Sequence, residues 1–354
     1  MTNAAKRFLF NAHNRRGLGH LMRGLNIARA IRSLSPDSDI LFYTRSESAA
    51  DLCGDRFGYF IEEDLEHNSH WAGVIEQFQP HVVIYDTLLP KEAADTPPCA
   101  GRMAYIMRKC KPDRQQEIFS HPFLRTVDLI LIPHDREDFG YPLPIAIIDK
   151  AHYIGPIIRQ ADGQQQQLLL AKYNLQPDER LLVSTVGGGG FEDKATAFFQ
   201  TIFAIHEQIH DRIPKLRHLL IKGPNYSKPL CGVPQGIEII DSEAEMVNLL
   251  AISTLVIAEG GYNTVNEIRL AKTPAIFLPS ARNYDDQYER VMELETKGLG
   301  FVYAEPDCNS ISEKIIKLFV NQSLLKEIVQ CYRGDSIMTG NRVAAQKLME
   351  LADK

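Results

Sequence analysis

The chain has 354 residues, a formal net charge of −6, 44% hydrophobic and 24% charged residues, which excludes a long disordered tail and leaves room for two domains of ordinary size. The negative balance excludes a general phosphate-backbone binder, so no nucleic-acid partner is expected. No apolar run reaches the roughly 18 residues of a bilayer-spanning helix.

Lys6-Arg7 leads straight into a strand-like run with no secretory h-region, and a cytoplasmic protein is expected. The six cysteines are scattered without a CxxC pair, which reads as reduced, structural thiols. Short β-rich runs at Arg7–Ala12, Asp39–Thr44, His81–Asp86, Met103–Met107 and Asp128–Ile132 alternate with amphipathic stretches, the pattern of a parallel α/β sheet. After Gly155-Pro156 the chain turns polar, with Gln164 to Gln167 in a row, and a linker is expected from Gly155 to Gln167. The alternation restarts with strands at Leu181–Val186, Leu216–Lys222, Ile237–Ile240, Leu255–Ala258 and Ala275–Leu278, and helices beginning near Phe191, Glu243, Tyr262 and Asp285. The expected fold is therefore α/β, with two Rossmann-like doubly wound domains: residues 1–157, residues 158–335, and a C-terminal helix in 336–354 packing back toward the first domain. Ligands of such sheets bind beyond the carboxyl ends of the strands.

The first strand runs into His13-Asn14-Arg15-Arg16-Gly17-Leu18-Gly19-His20 and then a helical run with Leu21, Leu25, Ala28 and Ile31 on one face. Met22 stands where a dinucleotide fingerprint needs its third glycine, which argues against NAD. Gly17 and Gly19 let a substrate approach the backbone, and His20 at the helix start is a candidate general base. Asp86, which ends the strand His81–Asp86, is the second candidate. In the second half, Gly187-Gly188-Gly189-Gly190 joins a strand to a helix and offers backbone N–H groups beside a positive helix end, which suits a diphosphate. Gly260-Gly261 and Thr264 repeat that offer, Glu267 is placed to accept from two ribose hydroxyls, and Asp286 with Gln287 can accept from and donate to sugar hydroxyls.

The stretch Met246 through Gln287 resembles the C-terminal donor-binding signature of the inverting glycosyltransferases typified by the lipid-linked peptidoglycan N-acetylglucosaminyltransferase. Arg159 in Gly155-Pro156-Ile157-Ile158-Arg159 resembles the interdomain arginine of that family, and Gly17-x-Gly19-His20 its first glycine loop. The resemblance implies a GT-B fold, two domains facing across a cleft, in which an acceptor-binding first domain and a donor-binding second domain act without a metal cofactor. It implies that the backbone near Met246 reads the base, Glu267 the ribose, the glycine turns the diphosphate, and Asp286 and Gln287 the sugar of a UDP-sugar. The acceptor is open, a small molecule or a lipid-linked one. Two departures stand out: no second glycine-rich loop follows Tyr85-Asp86-Thr87, and Glu259 occupies a position where the family carries a basic residue. The start Gly17-Leu18-Gly19-His20-Leu21-Met22-Arg23 also resembles the UDP-sugar hydrolase of pseudaminic acid synthesis, so hydrolysis, or epimerisation of the donor sugar, is an alternative on the same site.

A rival from another class is His206-Glu207-Gln208-Ile209-His210, which has the spacing of a zinc hydrolase helix but lies on the edge of an apolar stripe with no third ligand at a recognisable spacing. Asp37-Ser38-Asp39 imitates a metal-binding acidic pair and reads as a polar turn. Arg15, Arg16, Arg23, Arg29 and Arg32 make the first loop and helix basic, a surface suited to an anionic acceptor or a peripheral membrane contact.

Overall fold

The computed structural model describes residues 5–12, 18–64, 67, 69–90, 101–283 and 285–354, the side chain of Gln322 apart. The chain divides into one unit formed by Met1–Ile158 with Met338–Lys354 and a second formed by Arg159–Ile337.

In the first unit, strands β1 (Arg7–Ala12), β2 (Asp39–Thr44), β3 (Gly58–Ile61), β4 (Val82–Asp86), β5 (Arg102–Ile106), β6 (Leu129–Ile132) and β7 (Ala151–Tyr153) form one sheet in the order β3-β2-β1-β4-β5-β6-β7. Every pairing is parallel. The central strands are apolar runs such as Val82–Tyr85 and Leu129–Ile132, as burial on both faces requires. One face is covered by the helix Gly19–Leu34, which buries Leu21, Leu25, Ala28 and Ile31, and by the helix Asn341–Ala352, which adds Ala344, Ala345, Leu348 and Leu351 to the same core. Lys6 fastens that last helix by an ion pair to Asp353 at 2.6 Å. The opposite face holds an aromatic cluster in which Trp71 lies between Tyr43 and Tyr85.

In the second unit, β8 (Arg180–Thr185), β9 (Leu216–Ile221), β10 (Ile237–Ile240), β11 (Leu255–Ala258), β12 (Ala275–Phe277) and β13 (Phe301–Val302) are again all parallel, in the order β10-β9-β8-β11-β12-β13. The helix Glu192–Ile209 buries Ala195, Phe199, Ile202, His206 and Ile209 at helical spacing. Both sheets therefore reverse their order beside the first strand, between β1 and β4 and between β8 and β11, and leave a crevice at the strand ends there.

The glutamine run expected in a linker is helical instead. Asp162 accepts a hydrogen bond from Gln164 N at 2.8 Å and caps the helix Gly163–Lys172, so a side-chain cap at its first turn starts a helix in a stretch whose composition reads as loop. The division between units falls at Ile158 and Arg159, ahead of that helix. Asp37 and Ser38 lie in a turn ahead of β2, at its amino end.

Trp71, the one tryptophan of the chain and fully buried, reports on the first unit by fluorescence. Leu348→Ala removes a fully buried side chain from the core beneath β1. Urea titration followed at Trp71 is expected to lose about 2–4 kcal/mol of stability, and an unchanged midpoint would contradict this packing.

Candidate active site

In the first unit the crevice lies between β1 and β4. The loop after β1, with Arg15, Arg16 and Gly17, falls outside the described residues. Gly19 opens the helix Gly19–Leu34, and His20, its second residue, is buried. Among the described residues no side chain caps that helix; the His20 ring instead turns to the end of β4, where Nδ1 lies 3.0 Å from the backbone oxygen of Asp86 and 3.4 Å from its Oδ1. A carbonyl only accepts, so Nδ1 carries a proton, and in the neutral ring the lone pair is on Nε2.

Asp86 itself is buried and held by Arg23 through Nε to Oδ2 at 3.0 Å and Nη2 to Oδ1 at 2.7 Å. Burial works against its charged form, but the Arg23 guanidinium and His20 outweigh it and hold the carboxyl well below the usual carboxylate range. That bidentate pair overturns the reading of Asp86 as a second proton acceptor and leaves it a positioning role. It also removes Arg23 from the basic surface, since its side chain is entirely buried. In the sequence Arg23 reads as one of five arginines of a basic surface; its spacing of one turn from His20 is the available signal of another role.

In the second unit the crevice lies between β8 and β11. The loop after β8 begins with Gly187 N donating to Thr185 Oγ1 at 3.0 Å. Gly187 and Gly189 have φ of 72° and 77°, and a Cβ at Gly189 would stand 2.6 Å from Lys222 O, so both geometry and space demand glycine there. Gly188 accepts from Asn225 N, and Gly190 leads into the helix Glu192–Ile209. Added Cβ atoms at Gly187 and Gly261 would lie 3.5 and 3.9 Å from Thr264 Oγ1, which puts this hydroxyl between the two glycine turns. Gly260 has a packing reason: its Cβ would meet Gln287 O at 2.8 Å.

Glu267 lies on the helix Tyr262–Ala271 that starts at the second glycine turn. It accepts no hydrogen bond among the described residues, and burial pushes its carboxyl up to about 7. Asn263, one turn earlier on the same face, has a buried side-chain oxygen without a partner; the sequence did not single it out. Met246 begins the helix Met246–Ala251, and Arg159 is brought to the segment just before it, pairing with Glu245 Oε1 at 2.5 Å and donating to Ala244 O at 3.4 Å.

Asp286 and Gln287 have local tasks that compete with sugar binding. Asp286 caps the helix Gln287–Thr296 by accepting from Glu289 N at 3.0 Å, and Gln287 Oε1 accepts from Ser280 N at 3.1 Å. Sequence reasoning missed the partner of Glu259. Its carboxylate, raised by burial despite an opposing cation, takes Arg282 Nη2 at 2.5 Å, and the Arg282 guanidinium lies 4.0 Å over the Phe191 ring. A cation thus stands beside both glycine turns although position 259 is acidic. Arg290 ties the second turn to Asp285 and to Gly260 O.

Residues 185–332 match the glycosyltransferase family 28 C-terminal domain. Over 375 aligned residues the chain is 21% identical to a UDP-N-acetylglucosamine–N-acetylmuramyl-(pentapeptide) pyrophosphoryl-undecaprenol N-acetylglucosamine transferase of Bacteroides thetaiotaomicron, covering 95% of each chain. It is 24% identical to an uncharacterized glycosyltransferase of Methanosarcina acetivorans over 66% of this chain and 59% of that one. The fold is similar to that of spinosyn forosaminyltransferase, with a TM-score of 0.69, 11% identity, and coverage of 99% of this chain and 100% of the other. Two parallel Rossmann-like units give the GT-B fold, and the glycosyltransferase domain matched over residues 185–332 makes the chain a glycosyltransferase. Within that class the second unit is similar to the family 28 C-terminal domain.

The His206–His210 motif is occupied by packing. His206 Nε2 lies 3.1 Å from Gln235 O, its Nδ1 lies 2.9 Å from His218 Nδ1, and His218 Nε2 lies 2.8 Å from Ser184 Oγ. Since Gln235 O only accepts, one assignment satisfies the row: His206 protonated on Nε2, His218 on Nδ1, and Ser184 donating, with both rings neutral. Both nitrogens of the motif's first histidine are thereby used, which takes away the zinc ligand that the spacing suggested. Burial pushes His218 down to about 3 and His206 in the same direction. Histidines that ionise more readily when unfolded withdraw stability as pH falls below about 6.5, by up to about 1.4 kcal/mol per pH unit for each ring. Scanning calorimetry is expected to show the second unit melting lower at about pH 5 than at pH 7, with a shallower dependence in His218→Gln; an identical dependence in the variant would contradict the neutral row.

Proposed function

We propose that the chain moves a sugar from a UDP-sugar, of the UDP-N-acetylglucosamine kind, to an acceptor hydroxyl by one in-line displacement that inverts the anomeric carbon and requires no metal. Glu267 carries this reading. A half-buried carboxylate with no partner among the described residues is costly to keep charged, and the two hydroxyls of a ribose are the donors that would satisfy it. The relative from Bacteroides thetaiotaomicron, whose name specifies a UDP-N-acetylglucosamine donor, supports the choice of base and sugar.

The diphosphate is assigned to the backbone N–H groups of Gly187–Gly190 and Gly260–Gly261 and to the Thr264 hydroxyl, at the starts of two helices. The backbone at Met246 is assigned to the uracil, with Arg159 fastening the preceding segment through Glu245, and Asp286 to the sugar through the carboxylate oxygen that capping leaves over. The second unit is thus the donor domain and the first the acceptor domain. The acceptor oxygen bonds to the anomeric carbon as the bond to the diphosphate breaks; its proton passes to His20 Nε2, and the electron pair leaves with UDP. We place the reaction in the cytoplasm, where the free cysteines among the described residues stay reduced, with the basic first loop and helix turned to an anionic acceptor or membrane surface.

Titration calorimetry without metal is expected to show UDP binding in preference to ADP and GDP, weakened at least about tenfold in Glu267→Ala, the loss of a charged hydrogen-bond pair. Because the free carboxyl titrates at about 7 and ribose donors favour its charged form, binding releases a proton. Affinity should therefore fall as pH drops below about 7 and level off above it, and Glu267→Gln should lose this dependence. No nucleotide binding at any pH would overturn the donor site. Sugar released from the donor without an acceptor would convert the reading to a hydrolase, and an isomerised UDP-sugar to an epimerase; proton NMR of the product tests inversion.

A further inference from the structure

Thr87 stands out in the first unit. Its φ is +63°, a conformation that a β-branched residue rarely adopts. The other described non-glycine residues at positive φ, Gln79, Asn174, Lys215 and Lys272, are not β-branched, and Gln79 and Lys272 are C-caps of helices, where that conformation is common. Thr87 instead follows the last residue of β4, with Leu88 N donating to Asp86 O at 2.7 Å across it, a tight three-residue turn of the strained hand. Strain of this kind persists only where the surroundings over-determine it.

The surroundings do so here. The buried Tyr105 on β5 donates its hydroxyl to Thr87 O at 2.7 Å, Thr87 N donates to Ile106 O at 2.9 Å, and Thr87 Oγ1 donates to Asp86 Oδ1 at 2.7 Å while lying 3.3 Å from Arg23 Nη2. The turn aims the Asp86 backbone oxygen at His20 Nδ1, the shorter of two Asp86 contacts, the other from Oδ1 at 3.4 Å, that keep a proton on that nitrogen.

We infer that Thr87 and Tyr105 form a latch that fixes His20 in the tautomer with a free Nε2, and that they are positioning residues for proton transfer. Its catalytic purpose rests on His20 being the general base proposed above. Without the Tyr105 hydroxyl the turn relaxes toward negative φ, the Asp86 oxygen swings away, and the imidazole populates both tautomers.

Tyr105→Phe removes one oxygen and keeps the ring against Phe123. The variant is expected to lose about tenfold in kcat, the scale of one hydrogen bond, with donor KM within about twofold and a melting temperature lower by no more than a few degrees. Nitrogen-15 spectra of histidine-labelled protein should show His20 as the Nδ1–H tautomer in the parent chain and as a mixture in Tyr105→Phe. Adding Thr87→Asn, which tolerates positive φ, should restore part of kcat and of the single tautomer. A Tyr105→Phe chain with unchanged kcat and unchanged His20 nitrogen shifts overturns the latch. A His20→Ala chain with full kcat overturns instead the general-base reading on which its purpose depends, while the nitrogen spectra still decide the tautomer.

Discussion

The constraint on which everything else depends is that both sheets are wholly parallel. Parallel strands bring all their carboxyl ends to one edge, and the order reversal beside the first strand makes the two flanking connections part company there. His20 and Asp86 meet across one such reversal, and the glycine turns at 187–190 and 260–261 meet across the other. Neither pair is close in sequence. Helices that start from this edge also direct their unsatisfied N–H groups to it, so a locus for negative charge comes with the topology.

Within that frame the carboxylates of Asp86 and Glu267 are set apart by their company. Asp86 is buried with a guanidinium on both oxygens and stays charged far below neutral pH. Glu267, half-buried and without any such cation, rises to about 7. The first is a fixed strut that holds a helix to a strand; the second is a group whose charge is cheap only when donors arrive. Arg282 and Arg290 show the same economy in cations: each is tied to an acid, and each reaches back to the turn before the helix Tyr262–Ala271.

The central strands and both glycine turns were legible because doubly buried strands and strand-to-helix glycines leave strong local patterns. The strands that sequence reading passed over, β3, β7 and β13, are all sheet edges, short and half solvated, where neither apolar runs nor alternation is enforced. The glutamine run was misread because one capping aspartate decides its state. The Arg23–Asp86 and Glu259–Arg282 pairs were invisible for another reason: each joins residues from different strand ends, and only the folded sheet makes them neighbours. Thr87 carries no sequence signal at all, since a strained turn is a property of its clamps.

The most direct test of the account is where a UDP-sugar with an azide on its uracil ring attaches on illumination. The account predicts labelled peptides from the segment 244–251 of the second unit, with labelling suppressed by UDP. Labelling confined to the first unit, or indifferent to UDP, would contradict it.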